Sequence, residues 1–125
     1  MKKMFFLFVV TLLSISVNAQ NSEQKSYFKK LLNAFCNDYY SECFSGRHYV
    51  SGSITVISME KIESKTIRIR GNHDYLGYLD VKYTMEYYAD IYYNEDTGYM
   101  QITFNKLSKN LLGPDYWESC SKEFD

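Results

Sequence analysis

This chain has few histidines and no excess of basic residues. Two histidines, His48 and His73, occur in 125 residues, too few for a histidine-rich zinc site. Lysine and arginine together number 14, against 15 aspartates and glutamates, so the chain lacks the basic excess that general nucleic-acid binding requires. No specific catalytic, metal-binding or nucleotide-binding motif stands out in the sequence. We therefore expect no metal, no cofactor, no enzyme activity and no nucleic-acid partner.

Long apolar runs are also few, and the longest lies at the N-terminus, over residues 4–17. It is shorter than the roughly 20 apolar residues that a membrane-spanning helix needs. Lys2 and Lys3 precede it and small residues around Ala19 follow it, a pattern typical of a secretory signal peptide. We predict that residues 1–19 are cleaved, that no stable membrane span remains, and that the protein is exported to the periplasm or the extracellular space. An uncleaved N-terminal anchor is the alternative.

The predicted mature chain is small. Removing 19 residues from 125 leaves 106, which fits one domain with one core, since domains usually have about 100 to 150 residues. Cleavage also removes two lysines, which leaves 12 basic residues against 15 acidic ones and a formal net charge of −3. Residues 20–125 are therefore predicted to form a single, mildly acidic domain.

Three cysteines, Cys36, Cys43 and Cys120, would meet an oxidising compartment after export. Cys36 and Cys43 lie seven residues apart, about 10 Å along one helix, which is too far for a disulfide between them. We expect Cys120 to pair with one of the two, and we favour Cys43 because it lies nearer the helix end. Three buried free thiols are the alternative.

The apolar pattern from Asn21 to Phe44 has the period of an α-helix. Gly46 follows as a natural C-terminal stop. The apolar residues recur at steps of three and four and predict one buried helix face: Phe28, Leu31, Leu32, Phe35 and Tyr39.

After Gly46 the apolar pattern changes to period two, which is typical of strands. Residues 49–59 and 65–70 predict a first hairpin. Residues 78–93 predict a long bent strand with its odd positions buried, and residues 99–107 predict a strand with Met100, Ile102 and Phe104 buried. Between these, Gly71 and Gly77 bracket a predicted loop. The segment from about residue 108 lacks clear periodicity and predicts an irregular tail.

One helix followed by four antiparallel strands resembles the cystatin-like fold, whose larger relatives include the nuclear-transport-factor-2-like proteins. The resemblance is in element order over residues 21–107 and implies an α+β fold with one long N-terminal helix on a curved four-stranded sheet. Cystatins carry a Gln-x-Val-x-Gly motif in the first hairpin and a Pro-Trp pair in the second. Here the first hairpin tip is Lys61-Ile62-Glu63-Ser64, and Pro114 is separated from Trp117.

Aromatic residues provide the candidate binding surface, because outward aromatic side chains with charged neighbours are typical of protein interfaces. Tyrosine is abundant, with 13 residues. The candidates come from the predicted loop, the outward positions of the long strand and the tail: His73, Tyr75, Tyr78, Tyr88, Tyr92, Tyr116 and Trp117.

Three hypotheses for function follow. The first is a non-catalytic binding module for another protein, of inhibitor, immunity or adaptor type. The second is a small-ligand pocket between helix and sheet, lined by Tyr83, Tyr87 and Phe104. The third, an enzyme, is weakest because His73 and Asp74 are neighbours on a strand-like segment and point to opposite sides. The sequence also leaves open a homodimer through a sheet edge.

Overall fold

One long helix precedes the sheet. The computed structural model describes residues 22–125, so the predicted signal peptide lies outside the described residues. Helix α1 is Ser22–Cys43. The predicted helix face is confirmed except at Tyr39, which is only partly buried, whereas its neighbour Tyr40 lies in the core. The buried helix residues form one stripe towards the sheet: Gln24, Phe28, Leu31, Leu32, Phe35, Cys36 and Tyr40.

Six antiparallel strands curl around the helix as a half-barrel. They are β1 (His48–Tyr49), β2 (Ser58–Glu63), β3 (Thr66–Leu76), β4 (Lys82–Tyr93), β5 (Met100–Ser108) and β6 (Tyr116–Phe124). Their order is β1-β3-β4-β5-β6, and β2 pairs with β3 beside β1. The predicted α+β class, with an N-terminal helix on a curved antiparallel sheet, is confirmed. The predicted count of four strands is too low.

The alternating pattern of β4 sets the two faces of the sheet. Tyr87, Ala89, Ile91 and Tyr93 are buried beneath α1, as predicted from the odd positions. The same prediction is wrong at Leu79 and Val81, which precede the strand and are exposed. On β5 the predicted set of Met100, Ile102 and Phe104 is buried as well. Strand side chains alternate between faces, so the even positions of β4 lie on the outer face, which α1 does not cover.

The predicted loop between Gly71 and Gly77 is wrong, because β3 continues through it to Leu76. Gly71 lies within the strand, where a Cβ atom would come within 1.9 Å of the Thr55 carbonyl oxygen. The glycine thus permits a close backbone approach rather than a turn. His73 and Tyr75 are consequently buried in the sheet, and the prediction that they form part of an exposed binding loop is wrong.

The predicted irregular tail is also wrong, since β6 pairs with β5 over nine residues, from Ser108 opposite Tyr116 to Met100 opposite Phe124. Its inner face carries charged residues among the apolar ones, which hides the usual alternation.

The predicted long strand begins later than expected. Residues Tyr78–Asp80 form a 3₁₀ turn, in which Leu79 and Asp80 both have a φ of 58°.

A disulfide joins Cys43 at the end of α1 to Cys120 in β6, with their Cα atoms 5.6 Å apart. The favoured pairing is therefore confirmed, and Cys36 is a buried free thiol. The bond fixes the last strand against the helix, and its presence is compatible with an exported protein. Within residues 22–125, no helix combines the length and the apolar character that crossing a membrane requires.

Candidate binding surface

Two hairpin turns project from the same end of the sheet. The first, over residues 77–81, joins β3 to β4; the second, over residues 109–115, joins β5 to β6. β4 and β5 are antiparallel, with Tyr87 opposite Lys106. The start of β4 and the end of β5 therefore lie at the same end of the sheet, and so do the two turns. The base of the second turn is tied to β3, since the backbone N–H of Lys109 donates to the Tyr75 hydroxyl at 2.9 Å.

This end of the sheet carries most of the exposed large apolar side chains of the described residues. Leu112, at the tip of the second turn, is 99% exposed, and Tyr78 on the first turn is 77% exposed. Elsewhere in residues 22–125, Ile57 is the one exposed large apolar residue, at 57%. We call the following seven residues the apolar end: Tyr78, Leu79, Val81, Leu111, Leu112, Tyr116 and Trp117.

Both turns hold these side chains on a structured backbone. In the second turn, the Asn110 side chain accepts a hydrogen bond from the Leu112 N–H, and Asp115 accepts one from the Asn110 N–H. In the first turn, the N–H of Gly77 donates to the Val81 carbonyl at 2.9 Å. Internally bonded turns lose less conformational entropy when a partner binds, because they are ordered beforehand.

A second group of side chains extends the surface over the outer face of the sheet. The Trp117 ring meets the Tyr88 ring edge-on, with centroids 5.2 Å apart. The guanidinium groups of Arg68 and Arg70 lie 4.6 and 5.4 Å from the same tyrosine ring, within the range of cation–π attraction. Arg68 is fixed by two hydrogen bonds to Asp90, at 2.7 and 2.8 Å. Trp117 therefore joins the apolar end to an arginine–tyrosine stack.

The predicted aromatic candidates thus fall into two groups. Tyr78, Tyr116 and Trp117 lie at the apolar end, and Tyr88 lies in the stack beside it. Tyr92 is on the same outer face but pairs with Tyr99, with ring centroids 5.9 Å apart, towards the opposite end of β4. The leucines and the arginines were missed, although the glycine-proline step after Leu112 indicates a turn that would expose it.

The predicted pocket residues lie in the core. Tyr87 and Phe104 are buried, and their rings stack with centroids 5.1 Å apart and planes 8° from parallel. Tyr83 is half-buried and packs on Tyr75, at 5.7 Å. The buried rings of Tyr87 and Phe104 thus pack against each other at the position where a ligand cavity was predicted, and Tyr83 lies partly exposed beside them.

Behind the apolar end lies a cluster of charged side chains on the inner face. Lys106 of β5 is fully buried, and its Nζ lies 3.3 Å from Oε1 of Glu118, the residue opposite it on β6. The same oxygen accepts a hydrogen bond from Ser108 at 2.5 Å and lies 3.6 Å from Arg47. Arg47 also donates to the Tyr116 hydroxyl at 3.0 Å. The cluster therefore holds one aromatic residue of the apolar end in place.

Burial sets the electrostatics of this cluster. Removal from water lowers the pKa of Lys106 to about 8, although Glu118 opposes the shift. Partial burial would raise the pKa of Glu118, but Ser108, Lys106 and Arg47 together hold it below its ordinary value. The Lys106 ammonium also faces the Tyr75 ring at 4.3 Å. At neutral pH the cluster contains an ion pair supported by ring contacts.

His73 is held neutral in the core. Its Nδ1 lies 2.8 Å from the Met85 carbonyl oxygen, which can only accept, so Nδ1 carries the proton. Nε2 therefore accepts from the Tyr40 hydroxyl at 2.8 Å. Burial lowers the pKa of His73 to about 4. Both ring nitrogens are thus engaged in cross-links between β3, β4 and α1.

No family model, no curated protein and no solved structure matches this chain. The function is therefore argued from the geometry above.

Proposed function

We propose that this protein is an exported, non-catalytic binding module for another protein, of inhibitor, immunity or adaptor type. The observation that carries the proposal is the gathering of seven exposed large apolar side chains at one end of the sheet. Leaving such a group in water is unfavourable, and a concentration of exposed large apolar side chains typically marks an interaction site.

The composition of the surface favours a protein partner. Tryptophan, tyrosine and arginine are enriched at the positions that dominate protein–protein binding energy, and Trp117, Tyr88 and Arg70 combine these types in one contact group. Arg70 is exposed, so its guanidinium is accessible to a partner. The leucines supply apolar area, and the arginines supply the polar rim that specific interfaces usually have.

The buried polar groups support a binding role over catalysis. A nucleophile or general base must reach its substrate, yet His73, Lys106 and Ser108 are all closed off from solvent. Each of them already bonds to a neighbour within the protein. Their arrangement stabilises the end of the half-barrel that presents the apolar side chains.

Export and a cystatin-like fold complete the proposal. The disulfide between Cys43 and Cys120 supports maturation in an oxidising compartment, to which residues 1–19 would direct the chain. The order of a helix followed by an antiparallel sheet that curls around it supports placement with the cystatin-like folds. Fold alone does not define function, so the binding role rests on the apolar end.

Photo-crosslinking tests the proposal. A photoreactive amino acid is placed at Leu112 and, in a matched control, at Lys29, which is exposed on the helix. Each protein is added to envelope and culture fluid of the producing cells, illuminated and analysed by mass spectrometry. We expect one discrete protein adduct from position 112 and none from position 29. Identical adduct patterns from the two positions, or no adduct from position 112, would refute the proposal.

A further inference from the structure

The last strand leaves one edge of the sheet open. β6 pairs with β5 along one side, and within residues 22–125 no element pairs with its other side. The pairing with β5 is continuous over nine residues without a bulge, and the strand contains neither proline nor glycine. A long regular edge of this kind exposes a row of unpaired backbone donors and acceptors.

This edge is held rigidly from its inner face. Cys120 is bonded to Cys43 of the helix, Lys122 forms an ion pair with Glu42, and the Phe124 ring packs on Tyr39 at 6.0 Å. A strand that is already ordered loses little conformational entropy when another strand pairs with it. The edge is therefore prepared to accept a partner strand.

Two copies of β6 have complementary side chains when they pair antiparallel with Cys120 at the centre. In an antiparallel pair centred on Cys120, Glu118 of one copy faces Lys122 of the other, and Tyr116 faces Phe124. The remaining pairs are Ser119 with Ser121 and Trp117 with Glu123. Opposite charges, aromatic pairs and hydroxyl pairs across strands each stabilise a sheet.

Neighbouring registers lose this match. If two copies of β6 paired about Ser119, Glu118 would lie opposite Cys120 and Trp117 opposite Ser121. If they paired about Ser121, Phe124 would lie opposite Glu118. Only the register about Cys120 forms the pair of opposite charges and the aromatic pair together. It places no like charges opposite each other, so pairing in this register carries no repulsion between facing side chains.

We propose that two copies of this chain associate through β6, antiparallel and centred on Cys120, to form one continuous sheet. The occupant of the edge is a second copy, because the strand's own sequence supplies the complementary side chains. Two paired strands bury less area than the roughly 1,200 to 2,000 Å² of stable interfaces, so the dimer is weak and depends on concentration. The proposal does not rest on the proposed function.

Charged substitutions on the outer face test both the dimer and its register. Ser119 and Ser121 are exposed and face each other across the proposed two-fold axis. One variant carries Ser119→Glu and Ser121→Glu, and the other carries Ser119→Lys and Ser121→Lys. Each variant alone places like charges opposite each other twice, whereas a mixture of the two places opposite charges there. Circular dichroism and disulfide titration check that both variants fold.

Sedimentation velocity of the exported, oxidised protein is recorded from micromolar to millimolar concentration. We expect a reversible monomer–dimer equilibrium for the natural protein and an at least about tenfold weaker one for each variant alone. A mixture of the two variants should recover dimerisation. A natural protein that stays monomeric throughout overturns the proposal. So does a glutamate variant that dimerises like the natural protein, or a mixture that fails to associate.

Discussion

Lys106 and Glu118 face each other across β5 and β6, with the lysine fully buried and its Nζ 3.3 Å from the carboxylate. Burial of an ammonium group costs free energy that its partner must offset. The pair lies directly behind the apolar end, and Arg47 links it to Tyr116. The stability of this ion pair therefore affects the surface that, in our proposal, binds a partner.

Glu118→Gln should destabilise the protein by about 2 to 4 kcal/mol, because it leaves a buried lysine without its counter-charge. Adding Lys106→Met should recover part of that loss, and a double-mutant cycle should give a coupling energy of about 1 to 3 kcal/mol. Urea unfolding measures each free energy.

The matched control is the ion pair of Lys109 and Asp115, which lie 3.8 Å apart with side chains 43% and 32% exposed. Exposed pairs contribute about 0 to 1 kcal/mol, so its coupling energy should be clearly smaller. Equal coupling in the two cycles would contradict the assignment of Lys106 and Glu118 as a buried, mutually dependent pair.

His73 should make the protein sensitive to mild acid. The unfolded chain protonates this histidine near pH 6.5, whereas the folded protein does so only near pH 4. Between these values the unfolded state binds more protons, so the free energy of unfolding falls as pH falls. Acidification from pH 7 to pH 5 should cost about 2 kcal/mol through this residue.

His73→Gln should remove that part of the pH dependence, measured by urea unfolding at both pH values. His48→Gln, a change at an exposed histidine on β1, is the matched control. If the stability curves of the natural protein and His73→Gln run parallel from pH 7 to pH 5, the buried neutral state of His73 is wrong.

The disulfide should contribute substantially to stability, because Cys43 and Cys120 are separated by 77 residues. In the chain-entropy model, a loop of that length corresponds to about 4 kcal/mol. Cys43→Ala together with Cys120→Ala should lower the melting temperature and detach β6 first, seen as rapid amide hydrogen exchange in that strand. Cys36→Ala, at the free thiol, should leave exchange in β6 unchanged. Equal exchange in β6 of the double-alanine variant and of Cys36→Ala would mean that contacts other than the disulfide hold β6.

The helix and the central strands could be predicted because each has one buried and one solvated face. The loop error at Gly71 arose because glycine usually indicates a turn, whereas here it accommodates the Thr55 carbonyl. The alternation of Ile67 and Ile69 in fact continues through Gly71 to His73 and Tyr75, all on the inner face. That period of two was the signal that could have placed both residues in the core.

β6 could not be recognised because its inner face mixes Glu118 and Lys122 with apolar residues. Those charges are balanced by partners distant in sequence, Lys106 and Glu42, which only the folded chain brings together. The apolar end depends on the same strand, since β6 places the second turn beside the first. Tyr78, Tyr116 and Trp117 could thus be proposed individually, but their grouping required the sheet topology.

The most direct test of the binding role is the affinity of the partner captured at Leu112 for three purified proteins, measured by calorimetry. The three are the natural protein, Leu112→Asp, and Ile57→Asp as a control at an exposed apolar residue away from the apolar end. We predict unchanged melting temperatures, an at least about hundredfold weaker affinity for Leu112→Asp, and natural affinity for Ile57→Asp. Equal affinities for Leu112→Asp and the natural protein would contradict the account.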